Sequence, residues 1–150
     1  MTAGKEENVV GTGGCLCGRV RFEVRGKLLS VINCHCSKCR RFHGNFSAYT
    51  STPRENLILV RKEGLHWYRS TQDETPDVYR GFCRDCGCSL FWDPKGKQNI
   101  SIAAGALDPP TRLETTRHAW VSQKGDYYEI SDGLPQHGEI YARADGENWS

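Results

Sequence analysis

Eight cysteines in a chain of 150 residues fall into three groups whose spacing is typical of metal binding. They form C-x-C at Cys15 and Cys17, C-x-C-x₂-C at Cys34, Cys36 and Cys39, and C-x₂-C-x-C at Cys83, Cys86 and Cys88. Cysteine thiolates are preferred zinc ligands, and a structural zinc site commonly takes its four ligands from two separated pairs. The spacing therefore predicts zinc sites.

The first and third groups together can complete a closed four-ligand site. Alternate side chains of an extended segment lie on one side, so Cys15 and Cys17 can reach one metal, with Leu16 directed away into the core. Cys83 and Cys86 supply the second pair through a C-x₂-C turn. We predict that these four cysteines hold a structural zinc.

The middle group, Cys34, Cys36 and Cys39, then has three thiolates and an open fourth position. Strand geometry directs His35 away from the sulfurs, but His43 lies one helical turn beyond Cys39 and is an alternative fourth ligand. Binding by His43 would give a closed Cys₃His site, whereas three protein ligands are the number found in catalytic zinc sites. We favour the catalytic site, with all three cysteines as its zinc ligands.

An open three-thiolate zinc favours a soft incoming ligand, and a thiol binds to it as the thiolate. The zinc lowers the pKa of that thiol and keeps it nucleophilic without a separate base. Lys38, Arg40 and Arg41 lie beside the ligands and could neutralise carboxylates of the thiol. Arg40 and Arg41 are either surface charges of a short helix or substrate-binding residues. Glutathione is a cytosolic thiol with carboxylates, and its addition to a small aldehyde would form a carbon–sulfur bond.

Other interpretations of the cysteines stay open. CSKC and CRDC match the C-x-x-C redox motif, although the expected βαβ context is missing. Disulfides suit a secreted domain, which the amino terminus disfavours. Cys88 is either a small buried residue beside the four-cysteine site or a competing ligand. The histidines far along the chain from the middle group are expected to be ordinary half-buried or surface residues: His66, His118 and His137.

Short strands and one short helix must position these groups. Val20, Phe22 and Val24 alternate with charged residues, which predicts a half-buried strand. Further strands are predicted at Leu28–Cys34, Phe46–Thr50, Asn56–Val60, His66–Arg69, Val78–Cys83, Ser89–Trp92, Ile100–Ala104, His118–Val121 and Tyr127–Ile130. One helix is predicted, at Ser37–Phe42. The fold class is therefore mainly β, with metal where strands meet loops.

Length and charge indicate the number of domains, the location and the kinds of partner of this protein. A chain of 150 residues suits a single domain, residues 1–150. The first fourteen residues contain neither a signal-peptide core nor a membrane span, so we expect a cytoplasmic protein with no membrane partner. The 20 basic and 18 acidic residues nearly balance, which makes nucleic acid an unfavoured partner. No acid lies between Glu23 and Glu55, so the sequence around the middle cysteine group is basic. This positive charge either forms a solvated surface or attracts an anionic ligand.

Four stretches resemble, in order and in rough spacing, the glutathione-dependent formaldehyde-activating enzyme family, which also includes centromere protein V. They are GGCLCGRVRFEV, CHCSKCRRFHG, YRGFCRDCGCSLFW and GALD…HAWV…YYEISDGLPQ, within about residues 11–138. The resemblance implies several short coiled β-sheets and two zinc ions per chain, held by the two ligand sets above. It also implies S-(hydroxymethyl)glutathione synthase activity, a carbon–sulfur lyase in the reverse sense. Cys88 departs from the family, in which a small hydroxyl residue is usual there.

Two rival functions come from other classes. A non-catalytic zinc module could bind a partner or chromatin, but it would need a broad basic patch, which the terminal segments lack. A zinc hydrolase of a small imine-like substrate would turn over without added thiol. The favoured prediction is a two-zinc carbon–sulfur lyase whose partners are glutathione and a small aldehyde such as formaldehyde.

Overall fold

A computed structural model describes residues 8–71 and 77–139. Within them, ten strands and one α-helix follow one another as β1 (Val9–Gly14), β2 (Arg21–Arg25), β3 (Val31–Cys34), α1 (Ser37–His43), β4 (Ser47–Pro53), β5 (Leu57–Arg61), β6 (Leu65–Arg69), β7 (Val78–Cys83), β8 (Ser89–Pro94), β9 (Asn99–Ala103) and β10 (Thr115–Ala119). Short 3₁₀ turns occur at Arg54–Asn56, Ala104–Ala106 and Val121–Gln123. The predicted mainly β class is confirmed.

The smaller sheet has the strand order β1-β2-β5, with both pairings antiparallel. Its central strand shows the predicted alternation, because Phe22 and Val24 are buried while the charged residues between them are partly exposed. Burial of each large apolar side chain stabilises the fold by about 2 kcal/mol.

The larger sheet has seven strands in the order β10-β3-β4-β9-β8-β7-β6. Only β10 and β3 pair in parallel, and the other neighbours are antiparallel. Cys34, at the end of β3, pairs with Ala119 of β10 on one side and with Ser47 of β4 on the other. The first cysteine of the middle group is therefore held by backbone pairing to two neighbouring strands.

Strand β1 closely approaches the segment after β9 at Gly13, which forms an isolated bridge with Leu107. A Cβ atom at this position would lie 2.4 Å from the Ala106 carbonyl oxygen and 2.6 Å from Cζ of Phe22. Only glycine lets the backbones approach this far, and the contact closes the apolar core around β2 and β8.

Helix α1 begins and ends with local capping interactions. Cys36 is its N-cap residue, and Cys36 Sγ accepts a hydrogen bond of 3.3 Å from the Cys39 N–H. Gly44 closes the helix in the left-handed conformation, at φ 82°. The helix predicted at Ser37–Phe42 is confirmed and continues for one more residue, to His43.

Several strand predictions need correction. No strand was expected at Val9–Gly14, yet β1 forms there, since the three glycines of VVGTGG hide its pattern. The strand expected at Leu28–Cys34 begins only at Val31. The one expected at His118–Val121 ends at Ala119, because Trp120 has a left-handed backbone at φ 56°. The one expected at Tyr127–Ile130 is wrong, since this segment is irregular.

The helices of the described residues are all too short or too polar to cross a membrane. The redox alternative also lacks its structural setting. The strands on either side of α1, β3 and β4, run antiparallel rather than forming a parallel βαβ unit.

Candidate metal centres

Four cysteines meet where the turn after β1 approaches the turn after β7. Cys15 and Cys17 follow β1, while Cys83 ends β7 and Cys86 lies in the turn that leads to β8. Strand β1 belongs to the smaller sheet and β7 to the larger one, so the group joins the two sheets. Gly87 allows the second turn by adopting φ 78°.

The sulfur positions of this four-cysteine group fit a tetrahedral metal. Cys17 Sγ lies 3.7 Å from Cys15 Sγ and 3.7 Å from Cys83 Sγ, and all four sulfurs lie within 4.8 Å of one another. Sulfur atoms at about 2.3 Å from a tetrahedral zinc are about 3.8 Å apart. The Val20 N–H also donates to Cys15 Sγ at 3.2 Å, which stabilises a thiolate there. These four residues could therefore hold a metal ion.

Leu16 and Cys88, which lie beside the four-cysteine group, differ in their exposure to solvent. Leu16 is 87% exposed, so the expectation that it turns into the core is wrong. Cys15 is buried and Cys17 is exposed, so the group lies at the surface and the side chain between the two cysteines faces solvent. Cys88 is half-buried, its thiol lies 3.6 Å from the Ser89 carbonyl oxygen, and its sulfur is outside the group.

Cys34, Cys36 and Cys39 form a second group at the junction of β3 and α1. All three are at most 3% exposed, and their sulfurs lie within 4.8 Å of one another. The apolar residues around them include Tyr49 and Trp92. This three-cysteine group could hold a metal ion as well, and among the described residues no further histidine, cysteine or carboxylate joins it.

Burial opposes the ionisation of all three sulfurs together. It raises the pKa of the Cys34 thiol well above its usual value. Hydrogen bonds from Cys34 and Cys39 lower the pKa of Cys36 to about 2. Ionisation of all three sulfurs therefore needs a nearby positive charge, which a bound metal ion would supply.

His43 faces Tyr49 rather than the sulfurs. Its Nε2 atom lies 2.7 Å from the Tyr49 hydroxyl, and the two rings meet edge to face at 5.2 Å. Burial lowers the pKa of His43 to about 4, so the ring is neutral near pH 7. The structure therefore does not bring His43 into the three-cysteine group.

His35 lies on the opposite side of the chain from its cysteine neighbours and begins a buried hydrogen-bonded chain. Its Nδ1 is 2.6 Å from the Tyr128 hydroxyl, and its Nε2 is 2.9 Å from Nδ1 of His118. Nε2 of His118 is in turn 2.8 Å from the Asp132 carboxylate. Desolvation lowers the pKa of His35 to about 4, so its ring is neutral. One set of tautomers satisfies the chain, with Tyr128 donating to His35, His35 to His118, and His118 to Asp132.

The expectation that His118 is a half-buried or surface histidine is therefore wrong, because it is 3% exposed and contacts His35, which lies between Cys34 and Cys36. Tyr128 and Asp132 lie in the YYEISDGLPQ stretch, and His118 lies in HAWV, so the available signal was the family resemblance that these stretches carry.

Arg80 is a second residue that the sequence analysis missed. It is 2% exposed, its Nη1 lies 4.0 Å from Cys39 Sγ, and its guanidinium lies over the Phe42 ring at 5.4 Å. A buried cation at this distance would stabilise negative charge on the sulfurs of the three-cysteine group. The available signal was alternation, because Arg80 shares a strand face with the fully buried Val78.

Arg40 and Arg41, the two predicted substrate-binding arginines, have different surroundings in the structure. Arg40 donates from Nε to the Gln123 carbonyl oxygen at 3.1 Å, which ties α1 to the turn after β10. Arg41 is exposed and lines a cavity that Arg80 also lines.

Residues 10–123 match the family described as glutathione-dependent formaldehyde-activating enzyme. A Halomonas elongata protein, whose name assigns it provisionally to that activity, is 30% identical over 128 residues, which cover 79% of each chain. The chain belongs to the glutathione-dependent formaldehyde-activating enzyme family. A crystal structure of a Rhodobacter sphaeroides protein shares the fold, with a TM-score of 0.55 and 22% identity, over 83% of this chain and 98% of that one.

The resemblance drawn from the cysteine motifs is thus confirmed. The segment matched to the glutathione-dependent formaldehyde-activating enzyme family contains all eight cysteines, Arg80 and His118. It ends before Tyr128 and Asp132, so the two ends of the hydrogen-bonded chain lie outside it.

Proposed function

We propose that this protein is a zinc enzyme that joins the thiol of glutathione to formaldehyde, and so acts as a carbon–sulfur lyase in the reverse sense. Family membership supports the reaction. The three-cysteine group is the observation that carries the proposal. Its sulfurs are buried and gathered, and residues 8–71 and 77–139 contribute no fourth ligand to it. A thiol from the substrate would complete the set of four ligands.

Zinc is the proposed metal for both groups, because sets of three or four thiolates favour a soft-binding, tetrahedral ion. Bound zinc would lower the pKa of an incoming thiol and hold it as a thiolate. The spacing near 3.7 Å among sulfurs of the four-cysteine group supports this choice.

The bond changes of the proposed reaction are simple. The glutathione sulfur attacks the carbonyl carbon, a carbon–sulfur bond forms, and the π electron pair moves to the oxygen. The oxygen gains one proton and the thiol loses one, so no oxidant or reductant is needed. The apolar surroundings of Cys34, Cys36 and Cys39 exclude water that would compete for the aldehyde.

Two sets of side chains support this site. Arg80 stabilises the negative charge that accumulates near Cys39. The chain from Tyr128 through His35 and His118 fixes the backbone between the first two ligands. Both act through the protein, and the sulfur of glutathione remains the nucleophile.

The four-cysteine group has a structural role in this proposal. It fastens the turn after β1 to the turn after β7, and thereby holds one sheet against the other. A structural zinc can contribute about 10 kcal/mol or more of folding free energy. The eight free cysteines suit a reducing cytoplasm, where glutathione is also available.

The proposal is tested by zinc content and by the rate of S-(hydroxymethyl)glutathione formation above the spontaneous rate. Wild-type protein should hold two zinc ions per chain and accelerate the reaction. Cys36→Ser should lose one zinc and the acceleration while remaining folded. Cys88→Ser is the matched control, since its sulfur lies outside both groups, and it should keep both properties. Full acceleration by Cys36→Ser would contradict the proposal.

A further inference from the structure

A cavity of about 300 Å³ lies between helix α1 and strands β6 and β7, beside the three-cysteine group. The described residues that line it include three cations and no acid, and are Lys38, Arg41, Phe42, Tyr68, Ser70 and Arg80. The volume is at the lower end of the range for small-molecule sites, which begins at roughly 300 Å³. It therefore suits the charged end of a small molecule.

Arg80 connects this cavity to the cysteines. Its guanidinium is held by the Phe42 ring at 5.4 Å and by a hydrogen bond of 3.3 Å from Nε to Ser70 Oγ. The same group reaches Cys39 Sγ at 4.0 Å. A ligand in the cavity would therefore contact a side chain that also contacts a predicted metal ligand.

The other two cations are available for a ligand. Neither Lys38 nor Arg41 forms an ion pair with a carboxylate of the described residues. Both lie on α1, whose first turn contains no acid. An arginine and a lysine that converge on one cavity can bind a carboxylate by charge-assisted hydrogen bonds.

The remaining walls are aromatic. Phe42 and Tyr68 offer apolar surface to the part of a ligand that joins its charged end to the rest. A concave site with apolar walls and a few polar groups is typical of small-molecule recognition.

We propose that this cavity binds a carboxylate of the thiol substrate through Lys38, Arg41 and Arg80, and so selects anionic thiols over neutral ones. The inference rests on the proposed function, because it assigns an anchoring site to the thiol used there. It places the anchor with Lys38 and Arg41 of α1 and with Arg80, for which the sequence analysis predicted no role. This anchor lies on a different side of α1 from the contact of Arg40 with Gln123.

The test compares two thiols with the zinc-loaded protein, glutathione and the neutral 2-mercaptoethanol, each with formaldehyde. Arg41→Met should lower kcat/KM for glutathione by roughly tenfold or more, since one charge-assisted contact is lost. It should change kcat/KM for 2-mercaptoethanol by less than about twofold. Lys38→Met should show the same split, and an unchanged thermal midpoint would confirm that each variant is folded.

A matched control removes one positive charge elsewhere. Lys62 is exposed and lies outside the cavity, so Lys62→Met should leave both rates unchanged. A loss of glutathione selectivity on Arg40→Met but not on Arg41→Met would place the anion at another side of the helix and overturn the inference.

The failures of the two proposals are distinguishable. Turnover of both thiols with no selective effect of Arg41→Met or Lys38→Met would overturn the carboxylate site and leave the proposed reaction standing. Absence of turnover with either thiol would overturn the proposed function and the carboxylate site with it.

Discussion

His118 lies at the centre of the hydrogen-bonded chain behind the three-cysteine group, and its replacement has an effect that can be worked out in advance. The side chain is 3% exposed and bonds to His35 at 2.9 Å and to Asp132 at 2.8 Å. His118→Leu keeps a side chain of comparable size but removes both hydrogen-bonding nitrogens. Any loss of stability therefore comes mainly from the groups left without a partner.

The magnitude depends on where those groups lie. His35 is 1% exposed, and its Nε2–H would become a buried donor without an acceptor, at a cost of about 1–3 kcal/mol. The Asp132 side chain is 44% exposed, so water replaces its lost partner at little cost. We expect His118→Leu to lower the free energy of unfolding by about 2 kcal/mol. Asp132→Asn keeps an acceptor oxygen and should cost less than about 0.5 kcal/mol.

Urea unfolding of the zinc-loaded variants measures this difference in free energy. Cobalt substitution gives a second measurement, because thiolate-to-cobalt absorption reports the geometry of the cysteine ligands. His118→Leu should shift this absorption, since His35 lies between two of those ligands, and Asp132→Asn should not. Equal stability losses in the two variants, or an unshifted spectrum for His118→Leu, would refute the reasoning.

Three further perturbations have defined outcomes. Cys83→Ser should remove one zinc and lower the thermal midpoint far more than Cys88→Ser, as measured by metal analysis and calorimetry; equal midpoints would exclude a structural site there. Gly13→Ala should destabilise the protein by about 1–3 kcal/mol in urea unfolding, because its Cβ would overlap backbone, whereas Gly105→Ala has open space and should be neutral. Burial lowers the pKa of His43 to about 4 from its ordinary 6.5. As the pH falls, this histidine is therefore protonated in the unfolded chain before it is protonated in the folded one. The free energy of unfolding is highest above pH 6.5 and decreases as the pH falls toward 4. His43→Gln should therefore reduce the stability loss between pH 7 and pH 5 by up to about 2 kcal/mol, and an identical loss in both proteins would contradict this origin.

The cysteine groups could be anticipated from sequence because their chemistry is local. C-x-C and C-x₂-C spacings bring sulfurs together through the geometry of one strand or one turn, and counting ligands pairs the segments. The structure brings together the same four and the same three sulfurs. The direction of His35 followed from the same alternation of side chains along an extended chain.

The surroundings of the groups could not be anticipated, because they come from remote segments. Arg80 reaches Cys39 from a strand 41 positions away, and Tyr128 reaches His35 from 93 positions away. Both residues lie in stretches that carry the family resemblance, but the contact that each one makes appears only once the sheet order is known. The prediction for Leu16 was wrong for a related reason. The alternation of side chains along an extended segment predicts on which side a residue lies, but not whether that side faces the core or the solvent.

The central claim is that a thiol from the substrate completes the three-cysteine site, and its most direct test is proton release on glutathione binding. Calorimetric titration of the zinc-loaded protein in buffers of different ionisation enthalpy counts the protons released. Near pH 7 a thiol that binds a metal as thiolate should release about one proton. S-methylglutathione keeps both carboxylates but has no thiol proton, so it should bind more weakly and release none. Binding of glutathione without proton release, or equal binding of the two molecules, would contradict the account.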